Sequence, residues 1–295
     1  MKSTRTKKLE EKEKVLKKEK RKKGLKKMLI ILLIIIVLGS LYMFFIEPKL
    51  LVIHENNLIT DKIDDSLHGL KIVQFSDVHF GTSINEKNIK KLVKKINKTK
   101  PDIVIFNGDL ANNNFTKEEV DIITSAFKEI TATLGKYAVY GNHDYMYGLL
   151  SYNNIMEDSG FKILKNEYDL IYKGSSTPIL IYGVDDVLEG TPDMSKLNEY
   201  QNNVYKIVVV HEPDYIDNFD VNSVDLVLSG HSHNGQVNIP LLKKLVLPKG
   251  SKNYYEPHYL INNTEVYISN GCGCGLISMR LFNLPSINLF RLIKK

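Results

Sequence analysis

Side chains able to bind a metal or move a proton recur in five short segments of this sequence: "SDVHF", "NGDL", "GNHD", "HEPD" and "GHSHNG". They carry Asp77, His79, Asp109, Asn142, His143, Asp144, His211, His231 and His233, and five of the eight histidines of the chain fall among them. Carboxylate oxygens and imidazole nitrogens without thiolate suit intermediate divalent metals such as Mn²⁺, Fe²⁺ or Zn²⁺. In Asp77-x-His79 and His231-x-His233 the donors stand two apart, so a loop can turn both toward one ion or toward two. The same residue types also orient substrates and exchange protons, and residue type alone does not divide those tasks among the neighbours Asn142, His143 and Asp144. Only two cysteines occur, Cys272 and Cys274 in "NGCGCGL", too few for a four-thiolate zinc site and too close for an unstrained disulfide. They read as small residues packed in a glycine-rich loop.

The elements that must position these donors are legible as short apolar runs. "LKIVQF" (70–75), "DIVIFN" (102–107), "KYAVYG" (136–141), "ILIYGV" (179–184), "KIVVVH" (206–211), "DLVLSG" (225–230), "EVYISN" (265–270) and the terminal "INLFRLI" predict strands, most of them too apolar for a sheet with one wet face. Each donor segment follows the carboxyl end of one such strand, the edge at which open α/β folds place their sites. Ile89, Leu92, Val93 and Ile96 recur at helical spacing, as do Val120, Ile123, Phe127 and Ile130 behind a Thr116/Glu119 capping box. No internal repeat or long linker divides this body.

The formal charge of +6 is unevenly spread: residues 1–27 carry 14 Lys/Arg against 4 Glu, a net +10, and the remainder carries 26 basic against 30 acidic side chains, a net −4. The tail reads as a solvated arm, partly helical or disordered, suited to anionic lipid headgroups, whereas the body offers no overall attraction to nucleic acid. Residues 28–46, "MLIILLIIIVLGSLYMFFI", are 19 in number and uncharged, long enough at about 1.5 Å per residue to cross a bilayer. The run exceeds the apolar part of a cleaved signal and lacks a small-x-small end, so it reads as a single uncleaved transmembrane helix. Basic residues ahead of it keep the 1–27 tail cytoplasmic and put the 47–295 domain outside.

The ordered set D-x-H, GD, GNHD, H and GHSH, from about Leu70 to the end of the chain, resembles the calcineurin-like metallophosphoesterases. "HEPD", "GHSHNGQ" and "IPLLKKLVLPKG" resemble more narrowly their membrane-anchored bacterial, YkuE-like branch. The resemblance implies an α/β, four-layer αββα sandwich behind the transmembrane helix, with two divalent metal ions. Matched motif by motif, Asp77, His79 and His233 would hold one ion, Asn142, His211 and His231 the other, and Asp109 would bridge them. Two ions about 3.5–4 Å apart can share a hydroxide and steady the entering and leaving oxygens of phosphoryl transfer. His143, left without an ion, would protonate the leaving oxygen, with Asp144 accepting its other N–H. Two dications outweigh two aspartates and a hydroxide, and the neutral Asn142 preserves that positive surplus for a phosphate anion. The chain departs from the branch at Ser232, Asn234 and Ser286, where Thr, Gly and Glu are usual; Asn tolerates the positive φ a glycine would adopt.

These readings converge on a membrane-anchored phosphohydrolase at the outer face of the membrane or in the cell envelope, acting on a phospholipid, a lipid-linked phosphate or a cell-wall phosphoester. A metal-dependent nuclease and a non-catalytic tethered scaffold are the competing readings. The acidic body disfavours the first, and the intact donor set disfavours the second. "NIPLLKKLVLP" is expected to form a hairpin buried against the body, the alternative being an apolar, basic rim for a lipid-linked phosphate.

Overall fold

The computed structural model describes residues 4–174, 176–200, 203–240 and 243–295. The chain divides into two compact units, one ending at Ile46 and one spanning Glu47–Lys295. In the first, helix α1 (Thr4–Leu41) runs through the lysine-rich arm into the apolar stretch, which closes in a π-helical turn, Tyr42–Ile46. Among the described residues one helical stretch, Glu11–Lys49, is long and apolar enough to cross a membrane.

The second unit is built on two six-stranded sheets. The first has the order β1 (Val52–Thr60), β12 (Ser286–Lys294), β2 (Lys71–Phe75), β3 (Ile103–Phe106), β4 (Gly135–Ala138) and β5 (Lys162–Ile163). Strand β12 runs antiparallel to β2, and β2 to β5 are parallel. The second has the order β10 (His258–Ile261), β11 (Thr264–Ile268), β9 (Leu226–Ser229), β8 (Tyr205–Val209), β7 (Ile179–Gly183) and β6 (Glu167–Ile171), parallel from β11 to β7 with antiparallel edges.

Near-continuous apolar strands need cover on both faces, and alternating side chains divide between two cores. Val73, Phe75, Val104 and Phe106 pack against helices α2 (Glu86–Lys98), α3 (Lys117–Lys128) and, beyond the short α4 (Asn142–Met146), α5 (Leu149–Asp158). Their neighbours Ile72, Ile103 and Ile105 turn the other way and meet Ile181, Ile207, Val209 and Leu228 of the second sheet. The outer face of that sheet, with Leu180, Tyr182, Val208 and Val227, is covered by short pieces, α6 (Ser195–Glu199) and the 3-10 turn Pro213–Asn218. The succession helices, sheet, sheet, helices is the four-layer sandwich, its fourth layer reduced to about one turn at a time.

A buried polar seam ties the two sheets just beneath the strand ends. Gln74 Nε2 donates to Ser229 O at 2.9 Å and to Asn107 Oδ1 at 3.2 Å, Asn288 Nδ2 donates to Gln74 Oε1 at 2.9 Å, and Asn107 Nδ2 donates to Leu228 O at 2.8 Å. In a low-dielectric interior such bonds are directional and costly to break, so they fix the register of one sheet on the other. The loops leaving β2 and β3 are thereby held at a set distance from those leaving β8 and β9.

Candidate active site

Asp77 and His79 leave β2, Asp109 leaves β3, Asn142 and His143 open α4 after β4, His211 leaves β8, and His231 and His233 leave β9. Their donor atoms form overlapping clusters, Asp77 with His79 and His233, Asp109 with His211 and His231, and His79 with Asp109 and His143, each within 4.8 Å. Asp77 Oδ1 lies 3.4 Å from His233 Nε2 and 3.9 Å from His79 Nε2, and Asp109 Oδ2 lies 3.2 Å from His211 Nε2 and 3.7 Å from His79 Nε2. Asn142 lines the same cavity, with a buried Oδ1 that has no hydrogen-bond partner.

The backbone is bent to achieve this. Asp77, His79, Asp109, His231 and His233 have φ values of 51°, 44°, 60°, 64° and 48°. Left-handed non-glycine residues cost on the order of 1–3 kcal/mol each, and such strain gathers at functional sites. Two glycines allow the close approach of neighbouring loops: a Cβ on Gly141 would lie 2.7 Å from Asp109 N, and one on Gly271 would lie 2.7 Å from His233 Nδ1.

The donors fit divalent ions. His79 Nε2 and His233 Nε2 are 3.0 Å apart, and both face Asp77, an arrangement that calls for a cation between them. His211 Nδ1 rests on Asn107 O at 2.5 Å and His231 Nε2 on Lys249 O at 2.8 Å, the outer anchoring that fixes ring orientation in metal sites. Burial pushes the imidazole pKa down to about 4 for His79 and about 3 for His231, so both present neutral lone pairs. Burial also pulls His211 down, but the Asp109 and Asp77 carboxylates outweigh it and hold its pKa up.

Asp144 does not reach His143. Its Oδ2 accepts the backbone N–H groups of Asp109 and Gly141, both at 2.9 Å, and its Oδ1 accepts that of Leu110 at 2.8 Å, while His143 Nδ1 has no partner. The expected orienting bond is replaced by a staple between the loops after β3 and β4. Successive helix residues point about 100° apart, and the third residue of α4 looks back at the helix start. Asp144→Ala is expected to orphan three buried N–H groups at about 1–3 kcal/mol each, read as a lowered urea midpoint of the full chain.

Residues without a sequence signal complete the support. Asn283 Nδ2 donates to His233 O at 2.5 Å, and its backbone N–H donates at 2.6 Å to Oε1 of Glu47, which is buried. Arg280 is fully buried and donates to the carbonyls of Asn270, Gly271, Gly273 and Asn283 at 2.6–3.1 Å, fixing the "NGCGCG" loop behind His233. Cys272 and Cys274 are buried free thiols in that loop, and burial pushes Cys272 up to about 12, which leaves it unreactive. Asn283→Ala should weaken metal binding about 10–100-fold through His233, measurable by competition with a chelator.

The segment expected as a buried hairpin is instead partly open. Leu241 and Leu242 lie outside the described residues. In helix α7 (Lys243–Val246), Lys243 is buried, its ammonium donating to Asn234 Oδ1 and pairing with Glu256 at 2.9 Å, whereas Leu245 and Val246 are exposed. Anchoring the first residue of one helical turn inward sends the next ones outward. Asn234 itself takes the left-handed turn, with φ 49°. Leu245 and Val246, with His79, Asp109, His143, His231 and His233, line a cavity of about 670 Å³.

The ordered donors are shared with known proteins. The calcineurin-like phosphoesterase family matches residues 70–235, more than half of the chain. The chain belongs to this family. As a calcineurin-like phosphoesterase it is a phosphoester hydrolase, and the clusters above are its candidate sites for the pair of metal ions typical of the family. It is 31% identical over 256 residues to the uncharacterized metallophosphoesterase YkuE of Bacillus subtilis (strain 168), covering 86% of this chain and 90% of that one, and it lies in the YkuE-like branch. It is 27% identical over 304 residues to the UDP-2,3-diacylglucosamine pyrophosphatase LpxG of Chlamydia trachomatis, covering 83% and 90%. It is also 27% identical over 245 residues to a transmembrane protein with metallophosphoesterase domain of Danio rerio, covering 77% of this chain and 54% of that one.

Proposed function

We propose that this calcineurin-like phosphoesterase is membrane-tethered, with its body outside the cytoplasm, and hydrolyses phosphoester bonds of envelope molecules: a phospholipid, a lipid-linked phosphate or a cell-wall phosphoester. The observation that carries the reading is that donor residues from the ends of β2, β3, β8 and β9 form overlapping clusters, at a cavity that His79, Asp109, His231 and His233 line together with Asn142 and His143. Asp77, His79 and His233 would hold one divalent ion, Mn, Fe or Zn, Asn142, His211 and His231 would hold the second, and Asp109 would serve both. Bound there, the pair would polarise the phosphoryl group and acidify the attacking water. Two carboxylates among the donors undercompensate two dications, so the cavity draws in an anionic ester. His143 is fixed by its backbone N–H to Asp109 Oδ1 at 2.9 Å and lines the cavity, where its ring can give a proton to the leaving oxygen.

The apolar helical stretch Glu11–Lys49, preceded and entered by lysines, supports the tether and, by the positive-inside rule, a cytoplasmic amino terminus whose arm meets anionic headgroups. Similarity to a protein named as a UDP-2,3-diacylglucosamine pyrophosphatase favours an acylated phosphate compound among the substrates. The test is a panel of monoester, diester and pyrophosphate compounds offered to the full chain with Mn²⁺, Fe²⁺ or Zn²⁺. Metal-dependent hydrolysis of at least one class is expected; none with any metal would contradict the reading.

A further inference from the structure

We infer that the apolar wall of this cavity is a binding subsite for the hydrocarbon chain of an amphiphilic phosphoester. The inference rests on the phosphohydrolase reading and narrows its substrate to one class. The cavity has two chemically unlike ends: the donor cluster, and a wall formed by Val237, Leu245, Val246, Leu276, Ile277 and Met279. Four of the wall residues stand largely in solvent, Leu276 at 88% exposure, Leu245 at 77%, Val246 at 62% and Ile277 at 55%. Single exposed aliphatic residues are ordinary, but a contiguous group beside a polar pocket marks a binding surface.

The wall is held in place from both sides. Gln236, itself left-handed at φ 54°, accepts the Gly275 N–H at 3.0 Å and donates to Ile277 O at 2.9 Å, and Asn112 Nδ2 donates to Gly275 O at 2.7 Å. These three bonds fix the turn that carries Leu276 at its apex. Opposite, the buried Lys243 fixes the turn that presents Leu245 and Val246. Polar side chains, one of them the buried Lys243, are thus spent on holding apolar ones outside, the reverse of what folding alone favours.

The identity of the occupant follows from continuity of the wall with the donors. A hydrophilic phosphoester would leave the wall wet, and a plain hydrocarbon would leave the donors unmet. A molecule with an anionic phosphoester at one end and an alkyl chain at the other satisfies both.

The test uses the Mn²⁺-loaded full chain in amphipol and titration calorimetry with monomeric alkyl phosphates from ethyl to hexyl. Affinity is expected to rise roughly twofold per methylene, the value for half burial on an open wall, or on the order of 15-fold across the series. The double variant Leu245→Gln/Leu276→Gln should flatten that slope, while Leu260→Gln, an exposed apolar residue on β10 outside the cavity, should keep it. No chain-length dependence, or an equal slope in the double variant, would overturn the inference. So would a preference seen only when the phosphate is presented in vesicles, which would make the wall a bilayer contact. Hydrolysis of the monoester, diester and pyrophosphate panel by the same samples reports separately on the phosphohydrolase reading: hydrolysis of any class without a slope sinks the chain subsite alone, and a slope without hydrolysis of any class sinks the enzymatic reading alone.

Discussion

Asp109→Asn is expected to lower metal-dependent phosphoester hydrolysis by about 10²–10⁴-fold, the equivalent of several kcal/mol of lost charge stabilisation. Asp109 is the carboxylate shared by two of the three donor clusters, 3.2 Å from His211 Nε2 and 3.7 Å from His79 Nε2. The amide removes its charge and can present N–H donors where the ions need an anionic oxygen. Elemental analysis of the variant should show less than the wild-type metal content. The fold should survive, because the loop around residue 109 is held independently by Asp144 through the backbone N–H groups of Asp109 and Leu110. Full activity in Asp109→Asn would remove the residue from the site.

His143→Ala should act differently, with metal content kept and turnover reduced by about 10²–10⁴-fold on esters whose leaving oxygen must be protonated. The loss should be much smaller on nitrophenyl esters, whose leaving group departs as a stable anion. That split separates proton transfer from metal binding, which matters because the His143 ring also falls within 4.8 Å of donors on His79 and Asp109. A variant that loses metal and suffers equally on both leaving groups would make His143 a ligand instead.

Much of the sandwich was legible because its central strands are apolar on both faces and end in Asp, His or Asn. Strands of the opposite character were not. Strand β1 reads "VIHENNLIT", polar over most of its length because it sits at the sheet edge, and its identity comes from parallel pairing with β12 rather than from its own pattern. Edge strands β6 ("EYDLI") and β10 ("HYLI") and the two-residue β5 are short and mostly half-buried or exposed, so they lack the continuous apolar run that marks the central strands. Among site residues, donors could be matched to motifs, but their supports could not. Gln74, Asn107 and Asn288 are single polar letters in or beside apolar runs, and only the facing of two sheets reveals them as a seam. Adjacency in sequence suggests contact between Asp144 and His143, whereas the helix Asp144 helps to start turns it toward the backbone of another loop. Glu47 lies at the end of the apolar run and gives no hint that its carboxylate supports Asn283, more than two hundred residues later.

The most direct measurement of the central claim is a metal titration of the stripped full chain, followed by its rate on an aryl phosphate ester. The proposed pair of ions, with Asp109 serving both, requires activity to rise with added Mn²⁺ and to level off at two equivalents per chain. A plateau at one equivalent, or a rate indifferent to the metal, would contradict a two-metal centre at Asp77, His79, Asp109, Asn142, His211, His231 and His233.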